Sequence, residues 1–141
     1  RLGESMVMKL GIVVAEFNRE ITSKMESAAK KHAASKGIVV AETIHVSGVY
    51  DIPLAAKKLL KKKDVGAVVA LGAVIKGGTG HDDVIAHSTA NALALLSLEF
   101  EKPVALGVSG PRMNKKQAME RAVPYAKNAV DAAMKMFSVA K

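Results

Sequence analysis

The sequence predicts an α/β fold, a three-layer α-β-α sandwich built on a four-stranded parallel sheet. Two observations carry that expectation. Short apolar runs recur along the chain, and the first, residues 8–15 (MKLGIVVA), is apolar and β-branched, as a strand buried on both faces should be. Between the runs lie segments whose apolar residues repeat every three or four positions. Each strand therefore returns through a helix, and the strands run parallel.

In chain order, residues 8–15 are the first strand. Ile21, Met25, Ala28, Ala29 and His32 then recur at helical spacing, and Gly37 ends that helix. Residues 38–46 read as the second strand. Pro53 suits the first turn of the next helix, which continues over residues 54–63. Residues 65–71 (VGAVVAL) are the third strand, closely followed by the loop Gly77-Gly78-Thr79-Gly80. Ala and Leu occupy nearly every face of the helix expected over residues 83–101, so it should be buried on several sides. Residues 103–108 are the fourth strand. Asn114 suits the N-cap of a short helix through Arg121, and Pro124 should open a last helix with the stripe Ala126, Val130, Ala133, Met134 and Phe137. The order is β-α-β-α-β-α-β-α-α. Residues 1–141 make one domain, with residues 1–7 read as a flexible extension.

Composition narrows the function. The chain has no Cys, which excludes a disulfide scaffold, a Cys-ligated zinc site, a thiol nucleophile and an iron–sulfur cluster. No pair among the 4 His has metal-ligand spacing with supporting carboxylates, so no metal is expected, and no cofactor is expected either, since no dinucleotide-binding motif is present. No apolar run approaches the roughly 20 residues of a membrane span, and a cytoplasmic location is the default expectation. A net charge of +8 suggests anionic partners. The densest basic stretch, residues 57–63 (KKLLKKK), holds no aromatic that could stack bases. It reads as the solvated end of an amphipathic helix rather than a nucleic-acid face. A small phosphate ester would account for part of the charge with less machinery.

In parallel sheets of this kind ligands sit at the carboxyl ends of the strands. Just beyond the first strand lies Phe17, which either caps the core or, if exposed, stacks on a flat heterocycle. Beyond the second, Gly48 permits a tight turn with free backbone N–H groups. Asp51 in the same segment can accept from hydroxyls or stabilise the start of the following helix, and both can hold. Beyond the third, the glycine loop lets the backbone approach an anion at a helix N-terminus. It is neither a Walker A loop nor GxGxxG, so triphosphate hydrolysis and dinucleotide binding lose support. His81, directly behind the loop, is the natural proton-transfer residue. His87 reads as structural, and His32 and His45 as isolated. Arg121 and Lys127 suit bidentate and point-charge contact with a phosphate, or are plain surface charges.

Four blocks together resemble the lumazine synthase family: Phe17-Asn18; Gly48-Val49-Tyr50-Asp51-Ile52-Pro53; residues 72–81 (GAVIKGGTGH); and Gln117-Ala118-Met119-Glu120-Arg121-Ala122. The resemblance covers residues 8–141, and Ser109-Gly110-Pro111 is more like the archaeal members. It implies a flavodoxin-like sheet and a transferase of riboflavin biosynthesis. That enzyme condenses 5-amino-6-(D-ribitylamino)uracil with 3,4-dihydroxy-2-butanone 4-phosphate to 6,7-dimethyl-8-ribityllumazine.

Carried over by position, the resemblance implies that Phe17 stacks on the pyrimidine and that Gly48, Val49 and Asp51 hold the ribityl chain. Val74 and Ile75 line the ring pocket, Gly78 and Thr79 bind the phosphate, and His81 is the acid/base residue. An adjacent subunit supplies Leu106 near the ring, Arg121 to clamp the phosphate and Lys127 to assist. Family members are pentamers, some of which pair into decamers or build sixty-subunit shells. The sequence departs from the family's usual pattern at Ser47, where Pro is usual, at Asp51, where Glu is common, and at Asp82, where an aromatic follows the His. The departure at Asp82 bears on the charge of His81. The alternative is a ligand-binding or shell-forming protein on the same fold that has no turnover.

Overall fold

The computed structural model describes residues 8–140, so the extension read at residues 1–7 lies outside the described residues. The elements are β1 (Lys9–Ala15), α1 (Arg19–Ser35), β2 (Val39–Val46), a single 3-10 turn (Val49–Asp51), α2 (Ile52–Leu60), β3 (Ala67–Ala73), α3 (His81–Phe100), β4 (Val104–Ser109) and α4 (Lys115–Ala140). All neighbouring strands are parallel, in the order β2-β1-β3-β4.

Alternation along each strand splits the core in two. Leu10, Ile12 and Val14 of β1 face α1 and α4, where Ile21, Met25, Ala122, Ala126 and Val130 meet them. Val13 and Ala15 face the other way, against Ile52, Ala56 and Leu59 of α2 and Leu93 of α3. The result is the expected three-layer sandwich. α2 lies so close to β1 that a Cβ on Gly11 would stand 2.9 Å from Leu59 Cδ1, which explains a glycine inside a buried strand. Register brings the strand ends into line: Ala15 pairs with Val46, and Ala73 with Ser109. That shared edge carries the loops that build the site.

Several expectations need correction. The third strand runs two residues beyond the predicted end, because Gly72 and Ala73 still pair with Val108 and Ser109. There is no break at Pro124, so one helix of 26 residues replaces the expected pair. Its buried stripe Ala118, Ala122, Ala126, Ala129, Val130 and Ala133 passes straight through the proline, and packing of that stripe outweighs the missing N–H. Asn114 does cap this helix: its Oδ1 accepts from Gln117 N–H at 2.8 Å, and Gln117 Oε1 accepts from Asn114 N–H at 2.9 Å.

α3 is not covered on several sides in the single chain. Val84, Leu95 and Leu98 are 61%, 66% and 76% exposed. His87 stands on that exposed side rather than in a core. Nor are the other two histidines isolated, since His32 pairs with Asp131 at 2.7 Å and His45 with Glu26 at 2.9 Å. The lysines of residues 57–63 are exposed at the end of α2 as expected. Lys102 Nζ reaches across to donate to Leu60 O at 2.8 Å and Lys62 O at 2.9 Å, closing that helix end.

Candidate functional site

A cavity of about 420 Å³ opens at the carboxyl edge of the sheet, among the ends of β1 and β3, the turn after β2 and the first turns of α3. Its first wall follows from the exit of β1. Glu16 N–H and Phe17 N–H donate to Val46 O and Ser47 O at 2.8 and 3.0 Å, which prolongs the β1–β2 ladder. Asn18 then takes φ 65°, a left-handed conformation that Asn tolerates better than most residues. Its side-chain amide donates to Ala73 O at 3.0 Å and ties the exit of β1 to the end of β3. The Phe17 ring is left 72% exposed at the cavity, so it is a free platform and not a core cap.

The second wall is the turn after β2. Gly48 N–H donates to Asp51 Oδ2, and Asp51 N–H donates to Gly48 O, both at 3.0 Å. Asp51 therefore braces the turn and lines an outer hollow with Leu54 and Lys58, not the cavity itself. Val49 is buried beneath the turn and faces the cavity, while the adjacent Tyr50 ring is 69% exposed at its edge.

The floor is Ala73, Val74 and Ile75. Beyond them Lys76 N–H donates to Met113 O at 2.8 Å, and the chain enters the exposed loop of residues 77–80. Gly80, at φ 74°, turns the loop into α3 through a bond from Asp83 N–H to Gly80 O. His81 is the first residue of that helix and lines the cavity. Asp82, only 6% exposed, lines it too, and its Oδ2 accepts from Arg112 N–H at 2.9 Å. That N–H holds the Asp82 carboxyl below the ordinary range, against burial, which alone would raise it.

Of the residues singled out from sequence, Phe17, Gly48, Val49, Val74, Ile75 and His81 share this cavity. Gly78 and Thr79 stand in the exposed loop at its rim, between Gly77 and His81. Four others lie elsewhere, Asp51 in the outer hollow beside α2. Leu106 is 51% exposed and lines a shallow hollow with Tyr125 and Asn128. Arg121 is exposed on α4, and Lys127 lines a groove of about 570 Å³ with Lys24 and Lys31 of α1. Six residues apart on one unbroken helix, Arg121 and Lys127 project roughly 120° apart.

Sequence reasoning gave no role to Asn18, Tyr50 or Ile85, and it saw Asp82 only as a departure. Asn directly after a strand end was the available sign of a left-handed turn. Nothing local announced the Asp82–Arg112 bond, which joins residues 30 apart. Among the described residues no cluster of three His, Asp or Glu is placed to hold a metal ion. No described helix is long and apolar enough to cross a membrane.

Comparison with known proteins gives one consistent answer. The sequence profile of 6,7-dimethyl-8-ribityllumazine synthase matches residues 7–141. A protein of that name from Methanoculleus marisnigri is 53% identical over 93% of this chain and 96% of its own length. One from Methanocaldococcus jannaschii is 53% identical over 93% of this chain and 92% of its own. One from Archaeoglobus fulgidus is 54% identical over 92% and 90%. With a profile match over residues 7–141 and relatives more than half identical over nine-tenths of both chains, the chain belongs to the 6,7-dimethyl-8-ribityllumazine synthase family.

Proposed function

We propose that this chain condenses 5-amino-6-(D-ribitylamino)uracil with 3,4-dihydroxy-2-butanone 4-phosphate to 6,7-dimethyl-8-ribityllumazine in the cytoplasm. One observation carries the reading. A single cavity joins an exposed aromatic ring, the backbone of two strand ends and a histidine set directly behind an open glycine loop. Phe17 stacks on the pyrimidine, Val74 and Ile75 line the ring pocket, and Gly48 and Val49 hold the ribityl chain. Asp51 acts on the ribityl chain through its turn, which its carboxylate keeps closed so that Gly48 and Val49 stay at the cavity. Gly78 and Thr79 bind the phosphate.

The 5-amino group adds to the ketone and loses water to form an imine. A proton is then abstracted and phosphate leaves, giving an enol that tautomerises. The ribityl-bearing nitrogen closes the ring with loss of a second water. His81 takes and returns protons in these steps, and the loop amides with Arg121 stabilise the departing phosphate. Much of the acceleration comes from holding two substrates in register.

The cationic half of the site comes from a second copy. Leu106, Arg121 and Lys127 are exposed outside the cavity, and α3 leaves Val84, Leu95 and Leu98 uncovered. A face made of β4 and α4 that closes a different face on the neighbour is a head-to-tail contact, which builds a ring where its rotation closes, as the family resemblance implies. The ring is a pentamer, with a decamer or a sixty-subunit shell as its larger forms. In the site it completes, Leu106 packs near the substrate ring and Arg121 clamps the phosphate, while Lys127, turned toward the α1 groove, adds positive charge from farther off. Mixing both substrates with the protein and following lumazine fluorescence tests the activity. Product is expected; a folded, assembled protein that makes none would leave the ligand-binding or shell-forming reading.

A further inference from the structure

We propose that Asp82 is a positioning residue, pinning the far end of the phosphate loop to the segment that follows β4. The inference rests on the assignment of that loop to the phosphate. The loop has no packing of its own: a Cβ added at Gly77, Gly78 or Gly80 would meet nothing within 4 Å. What fixes it must therefore act at its ends. At the near end Lys76 N–H donates to Met113 O at 2.8 Å, and at the far end Asp82 Oδ2 accepts from Arg112 N–H at 2.9 Å. Two adjacent residues of one segment thus hold both ends of an otherwise open loop.

That segment is itself rigid. Met113 is buried in the core at 6% exposure, and Asn114 begins the capping box of α4. A Cβ on Gly110 would fall 2.5 Å from Val74 O, so the backbone lies directly against the end of β3. Val74 N–H donates to Ser109 O at 2.9 Å and adds a further tie. Arg112 is held at φ 63°, a left-handed conformation that persists only where its surroundings dictate it. Its Nε lies 3.5 Å from Asp83 Oδ1, beside the main-chain bond to Asp82.

The sign of the charge separates positioning from binding. A carboxylate at the start of α3 repels a phosphate brought to the loop, so Asp82 weakens binding by its charge and can help only through its geometry. The tie holds His81 and the loop together, and displacement of reacting groups by about 1 Å can cost as much as 10²-fold.

The test is steady-state kinetics on assembled protein, with inorganic phosphate as a competing probe. Asp82→Ala should raise the KM for the butanone phosphate and the inhibition constant of inorganic phosphate about tenfold, while the KM for the uracil substrate moves less than about twofold. Asp82→Asn keeps an oxygen that accepts from Arg112 N–H, and both phosphate constants should stay within about threefold of wild type. The inference is overturned if Asn harms phosphate binding as much as Ala, or if Ala leaves both phosphate constants unmoved. Should Asp82→Ala fail to assemble, Asp82→Asn alone decides, because a tenfold loss there contradicts the tie. A wild-type protein without turnover sinks the proposed function instead, and direct titration of phosphate into wild type and variants still reads the loop.

Discussion

At Asn18 a left-handed backbone and a side-chain amide act on the same few atoms, presenting Phe17 and tying β1 to β3. Replacing Asn18 with Ala removes the amide bond, about 1 kcal/mol, and forces a Cβ-bearing residue without that compensation into a conformation costing about 1–2 kcal/mol. Asn18→Gly removes only the bond. Urea titration should therefore rank the three as wild type, then Gly, then Ala, and an Ala variant as stable as Gly would contradict the backbone argument. The residues proposed for proton transfer and for phosphate contact should separate in kinetics. Arg121→Ala is expected to raise the KM for the phosphate ester. His81→Ala is expected to lower kcat by about 10²–10⁴ at most, because proton transfer is one contribution among several. An unchanged phosphate KM in Arg121→Ala would remove that residue from the site.

At the scale of elements, Glu26 joins α1 to the edge strand β2 through hydrogen bonds with Arg19, Lys30 and His45. Burial pushes its carboxyl up, but the bonds from Lys30, His45 and Arg19 outweigh it and hold the pKa down at about 2, against an ordinary 4.5. A depressed acid contributes stability above its unfolded pKa and loses it as pH falls through the folded one. The cluster should therefore weaken between about pH 4.5 and about pH 2. Glu26→Gln should flatten that part of the denaturation profile, and an equally steep profile would exclude the cluster as its cause.

Pro124, inside α4, offers a test of the opposite sign. Pro124→Ala restores a helical N–H and should stabilise the protein, by up to about 3 kcal/mol in thermal or urea denaturation. The strands were legible to within two residues: β1 and β3 are buried, nearly uninterrupted apolar runs. The edge strand β2 instead carries Glu42, Thr43 and His45 and was read from the β-branched residues around them. The unbroken α4 was misread because a proline rule was set above a small-residue stripe that runs through it. The exposure of α3 was beyond reach, since periodicity reports which residues are apolar and not what covers them. His32 was likewise illegible, because its partner Asp131 lies 99 residues away.

Over the whole molecule, the strand-end rule made half of the site readable: it located the loops carrying Phe17, Gly48, Val49, Val74, Ile75 and His81, which share one cavity. Leu106, Arg121 and Lys127 took their roles from the family resemblance, and none of them lines the cavity that holds His81 in this chain. An assembly in which neighbouring copies share each site accounts for both facts and for the bare side of α3. Leu98→Glu, placed on that side at 76% exposure, should leave the chain folded by circular dichroism but reduce assembly in light scattering, and activity should fall with it. The most direct measurement mixes His81→Ala and Arg121→Ala chains, denatured together and reassembled. Each variant alone has lost one half of every site, whereas a mixed head-to-tail ring regains complete sites at about a quarter of its interfaces. Assayed at a butanone phosphate concentration well below the raised KM of Arg121→Ala, lumazine formation near a quarter of the wild-type rate is the predicted result. A mixture no more active than its two components would contradict a site shared between copies.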